Sequence, residues 1–140
     1  MTISYRLATL ADAIELAPLN ARLILDEGHR NPMSVPELQQ RMEGWLKNGY
    51  QAVIFESDSE IVGYALFRHE PEYLYIRHLF VIPEQRRKGI AKNALDWMKQ
   101  NICKNTMRAR IEVLVGNKTG IDFWHAVGFT DYCIAMEKED

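Results

Sequence analysis

The stretch LFVIPEQRRKGIAKNALDWM, residues 79–98, decides the fold of this chain. It begins with an apolar run typical of a strand and continues through Pro83, a cluster of bases and Gly89. From Ile90 to Lys104, apolar residues recur at three- and four-residue spacing, which predicts an amphipathic helix. We therefore expect the chain to pass from a strand through a short basic turn into a helix.

The turn between this strand and this helix predicts an anion site. The first amides of a helix have no internal acceptor, and the helix dipole adds roughly half a positive charge at the same end. Gly89 and Ala91 keep side chains short where a phosphate would approach the backbone. Arg86, Arg87 and Lys88 add positive charge, although such a basic loop is also typical of solvated surface. The sequence has neither GxxxxGK[ST] nor a GxGxxG in a strand–helix–strand unit, so the common nucleotide motifs do not apply.

The composition favours one soluble domain. The chain has 140 residues, of which 26% are charged and 47% are hydrophobic, with a net charge of −2. This balance argues against nucleic acid or an anionic membrane as a partner. No apolar run approaches the roughly 20 residues that span a bilayer, and the first residues do not resemble a signal peptide. We expect a cytoplasmic protein.

The cysteines and histidines do not indicate a metal site. Cys103 and Cys133 are far apart in the sequence, and the 4 histidines are scattered, without an HExxH or similar spacing. We expect no metal and two buried thiols, because free cysteine is often buried.

The rest of the chain predicts an alternation of strands and helices in a single domain. Capping-box pairs at Thr9 with Asp12 and at Ser34 with Glu37 mark two helix starts. The three strand-like runs that follow predict an antiparallel meander. The predicted order is a strand at 3–9, helices at 9–28 and 34–49, strands at 50–57, 61–70 and 72–82, the helix at 90–104, a strand at 108–115, a helix at 119–128 and a final strand at 129–138.

The sequence resembles the GNAT acyltransferases, a large superfamily of CoA-dependent N-acetyltransferases. RRKGIA, residues 86–91, fits their [QR]xxGx[GA] motif, and LFVIPEQ before it resembles their fourth strand. NKTGIDFWHAVGF, residues 117–129, is a further match, and the element order agrees over essentially the whole chain. The resemblance implies an α+β, three-layer fold in one domain over residues 1–140. Its sheet would be mixed and mainly antiparallel, with splayed fourth and fifth strands and helices on both faces.

The resemblance also implies acetyl-CoA as co-substrate. Its pantetheine arm would enter between the splayed strands, and its diphosphate would lie on the backbone after the fourth strand. Asn117 has an alternative role as a turn residue after Gly116. The residues implied to bind the cofactor are Leu79, Phe80, Val81, Arg86, Arg87, Lys88, Gly89, Ile90, Ala91, Asn117, Phe123 and Trp124.

The implied reaction is transfer of an acetyl group to a primary amine of an unidentified acceptor by direct attack. A base must first remove a proton from the amine, and the candidates at the fourth strand are Glu72, Tyr75 and His78. In the strand, period-two alternation predicts one face with Tyr75, Arg77 and Leu79 and another with Ile76, His78 and Phe80.

The leaving thiolate raises a second question, because many family members carry a tyrosine in a pattern resembling FYxxxGF. This chain has FWHAVGF with Trp124 at that place, and an indole N–H cannot practically deliver a proton. Tyr132 and Tyr75 are candidate replacements, and solvent is a further one.

Two alternatives remain open from the sequence. One is a non-catalytic acyl-CoA-binding or interaction domain on the same fold, and the other is a binding module for a different phosphorylated ligand. Arg77, a permanent cation, favours binding an anionic acceptor or a carboxylate over proton transfer. Under the leading hypothesis the partners are a CoA thioester and an amine, and the chain is a monomer or a homodimer.

Overall fold

A computed structural model describes residues 2–103 and 108–140, and within them the chain forms five strands and four α-helices. The strands lie in one sheet in sequential order, antiparallel from the first to the fourth, with the fourth and fifth parallel. The strands are β1 Ile3–Leu7, β2 Tyr50–Ser57, β3 Glu60–His69, β4 Tyr73–Val81 and β5 Arg108–Arg110, and the helices are α1 Ala13–Glu27, α2 Val35–Lys47, α3 Ile90–Asn101 and α4 Lys118–Ala126.

The helix starts follow the capping residues of the sequence. Ser34 and Glu37 form the predicted capping box of α2, with the Glu37 amide donating to Ser34 Oγ at 3.3 Å. Thr9 and Asp12 also form a capping box, but they open a short 3-10 turn before α1 rather than α1 itself. α1 then runs through Pro18 and ends at Gly28, whose φ of 74° is left-handed.

Helices cover both faces of the sheet, because successive residues of a strand point to opposite sides. On the α1/α2 face, Tyr64, Leu66 and Phe80 pack with residues of those two helices. On the α3 face, Phe67 and Ile76 pack with Ala94 and Met98 of α3. Trp124 of α4 also packs against the α3 face. The fold therefore has three layers, with α1 and α2 on one side of the sheet and α3 and α4 on the other.

A β-bulge in β4 changes the faces that simple alternation predicts. Leu66 pairs with His78 and Phe67 pairs with Ile76, so Arg77 is an extra residue in the ladder. After the bulge, His78 and Phe80 join Tyr75 and Arg77 on the α1/α2 face, where they contact Tyr64, Trp45 and Tyr50. Ile76 and Leu79 pack on the α3 face instead. The predicted grouping was therefore wrong, because a bulge is set by pairing with β3 and not by the sequence of β4.

Two of the predicted strands differ from the structure. β5 ends at Arg110 instead of residue 115, and the segment 129–138, predicted as a final strand, has no strand in the structure. Tyr132, Ile134 and Met136 alternate as in a strand, yet they are 77%, 75% and 86% exposed. A strand exists only beside a hydrogen-bonded neighbour, and the short β5 offers the tail no partner.

The ends of α3 and the cysteines also differ from expectation. α3 ends at Asn101, with the Ile102 and Cys103 amides still donating to Met98 O, and the predicted final residue Lys104 lies outside the described residues. Cys103 is half-buried, whereas Cys133 is exposed because it belongs to the unpaired tail. Over the described ranges, none of the helices is both long and apolar enough to cross a membrane.

Candidate active site

The second half of β4 presents a free edge. β5 pairs only with residues 73–75 of β4, so no described residue continues the sheet beside the rest of the strand. The Ile82 amide donates to Val62 O, and because alternate residues of an antiparallel pair face the partner, the backbone groups of Leu79 and Val81 face the free edge. Val81 O accepts from Arg86 Nε at 2.9 Å. The Leu79 N–H and C=O and the Val81 N–H remain for an extended ligand.

This free edge leads into a loop that exposes backbone amides. Gly89 is the N-cap of α3, with a φ of 75° that favours glycine, and α3 has no side-chain cap. The first intrahelical bond runs from Asn93 N–H to Gly89 O, so the amides of Gly89, Ile90 and Ala91 have no acceptor within the described residues. Arg87 is also left-handed, with a φ of 65°, at a cost of about 1 to 2 kcal/mol.

The three basic residues of the loop have different roles. Arg86 ties the loop to the fold, since its guanidinium also pairs with Asp26 of α1 at 2.9 Å and lies over the Phe80 ring. Lys88 Nζ donates to Gln85 Oε1 at 3.0 Å at the surface. Arg87 is exposed and makes no hydrogen bond to another described residue. Arg87 and Lys88 are therefore the exposed charges beside the open amides that do not pair with a described carboxylate.

The α4 residues of the sequence motif are packed locally. Asn117 is the N-cap of α4, and its Oδ1 accepts from Gly120 N–H at 3.0 Å. The Trp124 ring lies 5.2 Å from Phe123 and 4.9 Å from Phe129 in edge-to-face contacts. Asn117 thus acts as a turn and helix-capping residue through Oδ1, while its side-chain Nδ2 stays available to a ligand.

Tyr75 meets a carboxylate that the sequence analysis missed. Its hydroxyl donates to Glu112 Oε1 at 2.8 Å, across the point where β4 and β5 separate. Burial and then this carboxylate raise the pKa of Tyr75 to about 12, so the phenol keeps its proton at neutral pH. Glu112 is the only acidic residue in the run RARIEVLV, and that isolation in a predicted strand was the available signal.

His78 is half-buried and stays neutral near pH 7. Burial, with the charges of Arg41, Arg77 and His29, lowers the pKa of His78 to about 3. Its Nδ1 lies 3.0 Å from the Tyr64 hydroxyl, and its ring is 5.4 Å from that of Trp45. Burial raises the pKa of Tyr64 well above its usual value. The pair therefore stays uncharged, which suits a packed hydrogen-bonding residue better than a base.

The remaining catalytic candidates lie apart from these groups. Glu72 is exposed in the turn before β4, six residues from His78, which is about 20 Å along an extended strand. Tyr132 is 77% exposed, and its ring lies 4.7 Å from the Arg110 guanidinium, which also covers Tyr73. The structure thus brings Tyr75 to Glu112 but does not join Glu72 or Tyr132 to either of them by a hydrogen bond within its described part.

A second group of polar residues lies on the α1/α2 face. The guanidinium carbons of Arg41 and Arg77 lie 4.4 Å and 4.9 Å from the Trp45 ring centroid. Arg41 Nη2 donates to Asn20 Oδ1 at 3.1 Å, yet the buried atoms Arg41 Nε and Asn20 Nδ2 have no partner among the described residues. An unsatisfied buried donor costs about 1 to 3 kcal/mol. Burial and then Arg77 lower the pKa of Arg41. We call Arg41 and Arg77 the arginine pair. Trp45 supplies the indole ring that both of them contact.

The metal-ligating side chains are dispersed over the part of the chain that the structure describes, with no group of three or more His, Cys, Asp or Glu placed to share an ion.

A groove of about 300 Å³ adjoins the loop on the α1 side. It is lined by Arg22, Leu25, Asp26, Phe80 and Pro83.

The same fold occurs in several solved structures. The structure is similar to a possible acetyltransferase from Clostridium difficile 630 (17% identity, 100% and 98% of the two chains, TM-score 0.82). It is also similar to a predicted acetyltransferase from Clostridium acetobutylicum solved with acetyl-CoA (22%, 99% and 96%, 0.78). A third similar structure is a ribosomal-protein-alanine N-acetyltransferase from Brucella melitensis biovar Abortus 2308 (20%, 99% and 100%, 0.80).

Sequence comparison gives the family. Residues 24–139 match the family model described as an acetyltransferase (GNAT) domain, and the chain belongs to this family of acetyltransferases. None of the curated proteins matches the sequence significantly. The predicted family and the predicted mixed sheet with helices on both faces are thereby confirmed.

Proposed function

We propose that this protein is an N-acetyltransferase that moves the acetyl group of acetyl-CoA to a primary amine by direct attack. The observation that carries the proposal is the free edge of β4 at Leu79 and Val81, which runs directly into the open first turn of α3. The Clostridium acetobutylicum structure with acetyl-CoA, which shares this fold, supports the choice of cofactor. The proposed enzyme is one domain that extends over the whole chain.

The cofactor would bind mainly through backbone groups. The pantetheine amides would pair with Leu79 and Val81 as an added strand does, and the diphosphate would accept from the amides of Gly89, Ile90 and Ala91. Hydrogen bonds to a charged group contribute about 1.5 to 3 kcal/mol each. Phe80 would offer the cofactor no hydrogen bond, since its backbone pairs with Tyr64 of β3 and its side chain is buried on the α1/α2 face.

The acceptor amine must lose a proton before it attacks. A lysine-like amine has a pKa of about 10.4, so its deprotonation at pH 7 costs about 4 to 5 kcal/mol. Glu112 accepts a hydrogen bond from the hydroxyl of Tyr75, the last β4 residue that pairs with β5. Glu112 would take the proton, directly or through one water, and Tyr75 would orient it.

The later steps need less from side chains. The oxyanion formed at the thioester carbonyl would accept from a backbone N–H of β4 at the free edge. The thiolate of CoA then leaves. Because a thiol has a pKa of about 8.5, release as the thiolate near neutral pH costs little free energy even without an acid from the protein. Trp124 would shape the site rather than protonate the sulphur. Tyr132, although exposed, remains a candidate acid.

Calorimetry with acetyl-CoA, followed by thiol release with a panel of amines, tests the proposal. Binding and amine-dependent release are expected. Saturable binding without release for any amine would identify a non-catalytic acyl-CoA-binding domain, and absence of binding would contradict both readings. Nucleotides without pantetheine should compete weakly, which separates this site from a general phosphate site.

A charge reversal in the loop tests the diphosphate site. Lys88→Glu places a negative charge beside the open amides and should weaken CoA binding about tenfold or more. Lys99→Glu is the control. Lys99 lies in the last turn of α3, so this variant makes the same change in net charge far from the loop and should leave the affinity for CoA within twofold of wild type. A Gly89 variant is less informative, because its φ of 75° would strain any other residue. Equal affinities for both lysine variants would refute the assigned site.

A further inference from the structure

We propose that the acceptor is an amine that also carries an oxyanion group, a carboxylate or a phosphate, held by Arg41 and Arg77 beside Trp45. This inference names the substrate class of the proposed acetyltransferase and therefore rests on that function. It depends on a different set of atoms from the cofactor site, so the two can fail separately.

The arginine pair has no counter-ion in the described part of the chain. Both guanidinium carbons lie over one indole ring, 4.4 Å and 4.9 Å from its centroid, so they are at most about 9 Å apart. Neither forms a salt bridge with a described carboxylate, although most other arginines here do. Glu27, the carboxylate whose charge acts on the neighbouring Tyr64, pairs with His29 instead. Two adjacent cations of this kind favour a bound anion.

The buried donors around Arg41 also lack acceptors. Arg41 Nε and Asn20 Nδ2 are both buried N–H donors without a partner among residues 2–103 and 108–140, and Asn20 is completely buried. The surrounding groups add few acceptors, since His78 is engaged with the Tyr64 hydroxyl at 3.0 Å and Tyr50 Oη with Arg77 at 3.4 Å. A site with an excess of donors and two positive charges complements an oxyanion rather than a second amine.

The location fits a group near the reacting amine. Arg77 is the bulged residue of β4 and lies two positions before Leu79, about 7 Å along the strand. The Arg77 side chain shares the α1/α2 face with Tyr75, two positions earlier, and it is exposed above Trp45. An acceptor with its amine at the free edge and its oxyanion a few bonds away can therefore reach both. Amino acids and phosphorylated amines have this layout.

Matched acceptor pairs test the inference. Thiol release is measured with glycine against glycinamide, with the other common amino acids against their amides, and with phosphoethanolamine against ethanolamine. We expect kcat/KM for at least one oxyanion series to exceed that of its neutral partners by about tenfold or more, as charge-assisted hydrogen bonds provide. The series that responds distinguishes a carboxylate from a phosphate. Equal or faster turnover of the neutral amines overturns the inference while leaving the acetyltransferase intact.

Variants assign the preference to the arginine pair. In Arg77→Gln and Arg41→Gln, the ratio of kcat/KM between the oxyanion acceptor and its neutral partner should fall to about twofold or less. The change should appear in the KM for the acceptor, and the affinity for acetyl-CoA measured by calorimetry should be unchanged. Lys47→Gln removes one charge from the end of the same helix as Arg41 and should retain the full preference. Arg77 is exposed, so its variant is expected to fold even where loss of the Arg41 contact with Asn20 destabilises the protein. A preference that survives both arginine variants contradicts the assignment.

A binding measurement covers the case in which no amine in the panel is acetylated. The protein is labelled with 5-fluorotryptophan, saturated with CoA, and the Trp45 signal is assigned with Trp45→Phe. Glycine or phosphoethanolamine should shift that signal, whereas glycinamide and ethanolamine should not. Absence of any shift with the oxyanion probes refutes the inference, and a shift without turnover would instead refute the proposed catalytic function.

Discussion

His78 should make the folded protein sensitive to mild acid. Below its usual pKa of about 6.5, His78 takes up a proton in the unfolded chain, whereas the folded state, with a pKa of about 3, does not. The folded pKa is depressed, so the stability present above pH 6.5 is lost progressively as the pH falls toward 3. The loss approaches about 1.4 kcal/mol per pH unit, which amounts to about 2 kcal/mol between pH 7 and pH 5.

Urea denaturation at several pH values measures this loss. His78→Gln keeps a hydrogen-bonding side chain near Tyr64 but cannot be protonated in this range, so the difference between wild type and variant isolates the His78 contribution. The effect of Glu27, whose pKa burial raises, has the opposite sign with falling pH and cancels in the comparison. His69→Gln, at an exposed site, is the matched control and should keep the wild-type slope.

An equal fall in the free energy of unfolding from pH 7 to pH 5 in wild type and in His78→Gln would contradict the depressed pKa of His78. It would mean that His78 is hydrated in the folded state and protonates with an ordinary pKa. In that case His78 would return as a candidate base, and a kcat/KM profile with an inflection at about pH 6.5 would be expected.

Three further predictions concern the sheet and the proposed base. Ser59→Gly should raise the free energy of unfolding by about 0.5 to 1 kcal/mol, because Asp58 and Ser59 form a two-residue hairpin with φ of 51° and 69°; an unchanged urea midpoint would contradict this. Gly63→Ala should lower the free energy of unfolding by more than about 2 kcal/mol in the same assay, because the new Cβ would lie 2.3 Å from Phe80 O in β4. An unchanged free energy would show that β4 can shift to accommodate the methyl group. Glu112→Gln should lower kcat/KM about 100-fold or more with acetyl-CoA affinity unchanged, as expected for loss of a general base, and a loss below threefold would exclude that role.

Local signals in the sequence predicted most of the framework. The capping boxes at Ser34 and Thr9, the helical spacing after Gly89 and the meander of three strands all reappear in the structure, because each depends on residues a few positions apart. The motif at 86–91 located the loop for the same reason. The motif did not show that Arg86 is held by Asp26 and Val81 O, because Asp26 lies 60 positions away in the sequence.

Pairing between distant segments was the part that local patterns could not give. The tail 129–138 alternates as a strand would, but a strand also needs a neighbour, and that neighbour is set by where β5 ends. The bulge at Arg77 arises from the register with β3, and it moved His78 to the face opposite Ile76. In the same way, Glu112 became a candidate base only through its contact with Tyr75, 37 positions away in sequence.

Local sequence patterns predicted the element order as far as α4, the strand and the open helix start around Gly89, and through them the acetyltransferase family. Those features are encoded by short-range spacing, dipoles and backbone freedom. The packed structure was needed to show which backbone groups face the free edge of β4, which histidine contacts Tyr64, and which two arginines share Trp45 without a counter-ion among the described residues. Those features depend on register, bulges and burial, which arise when segments far apart in the chain pack together.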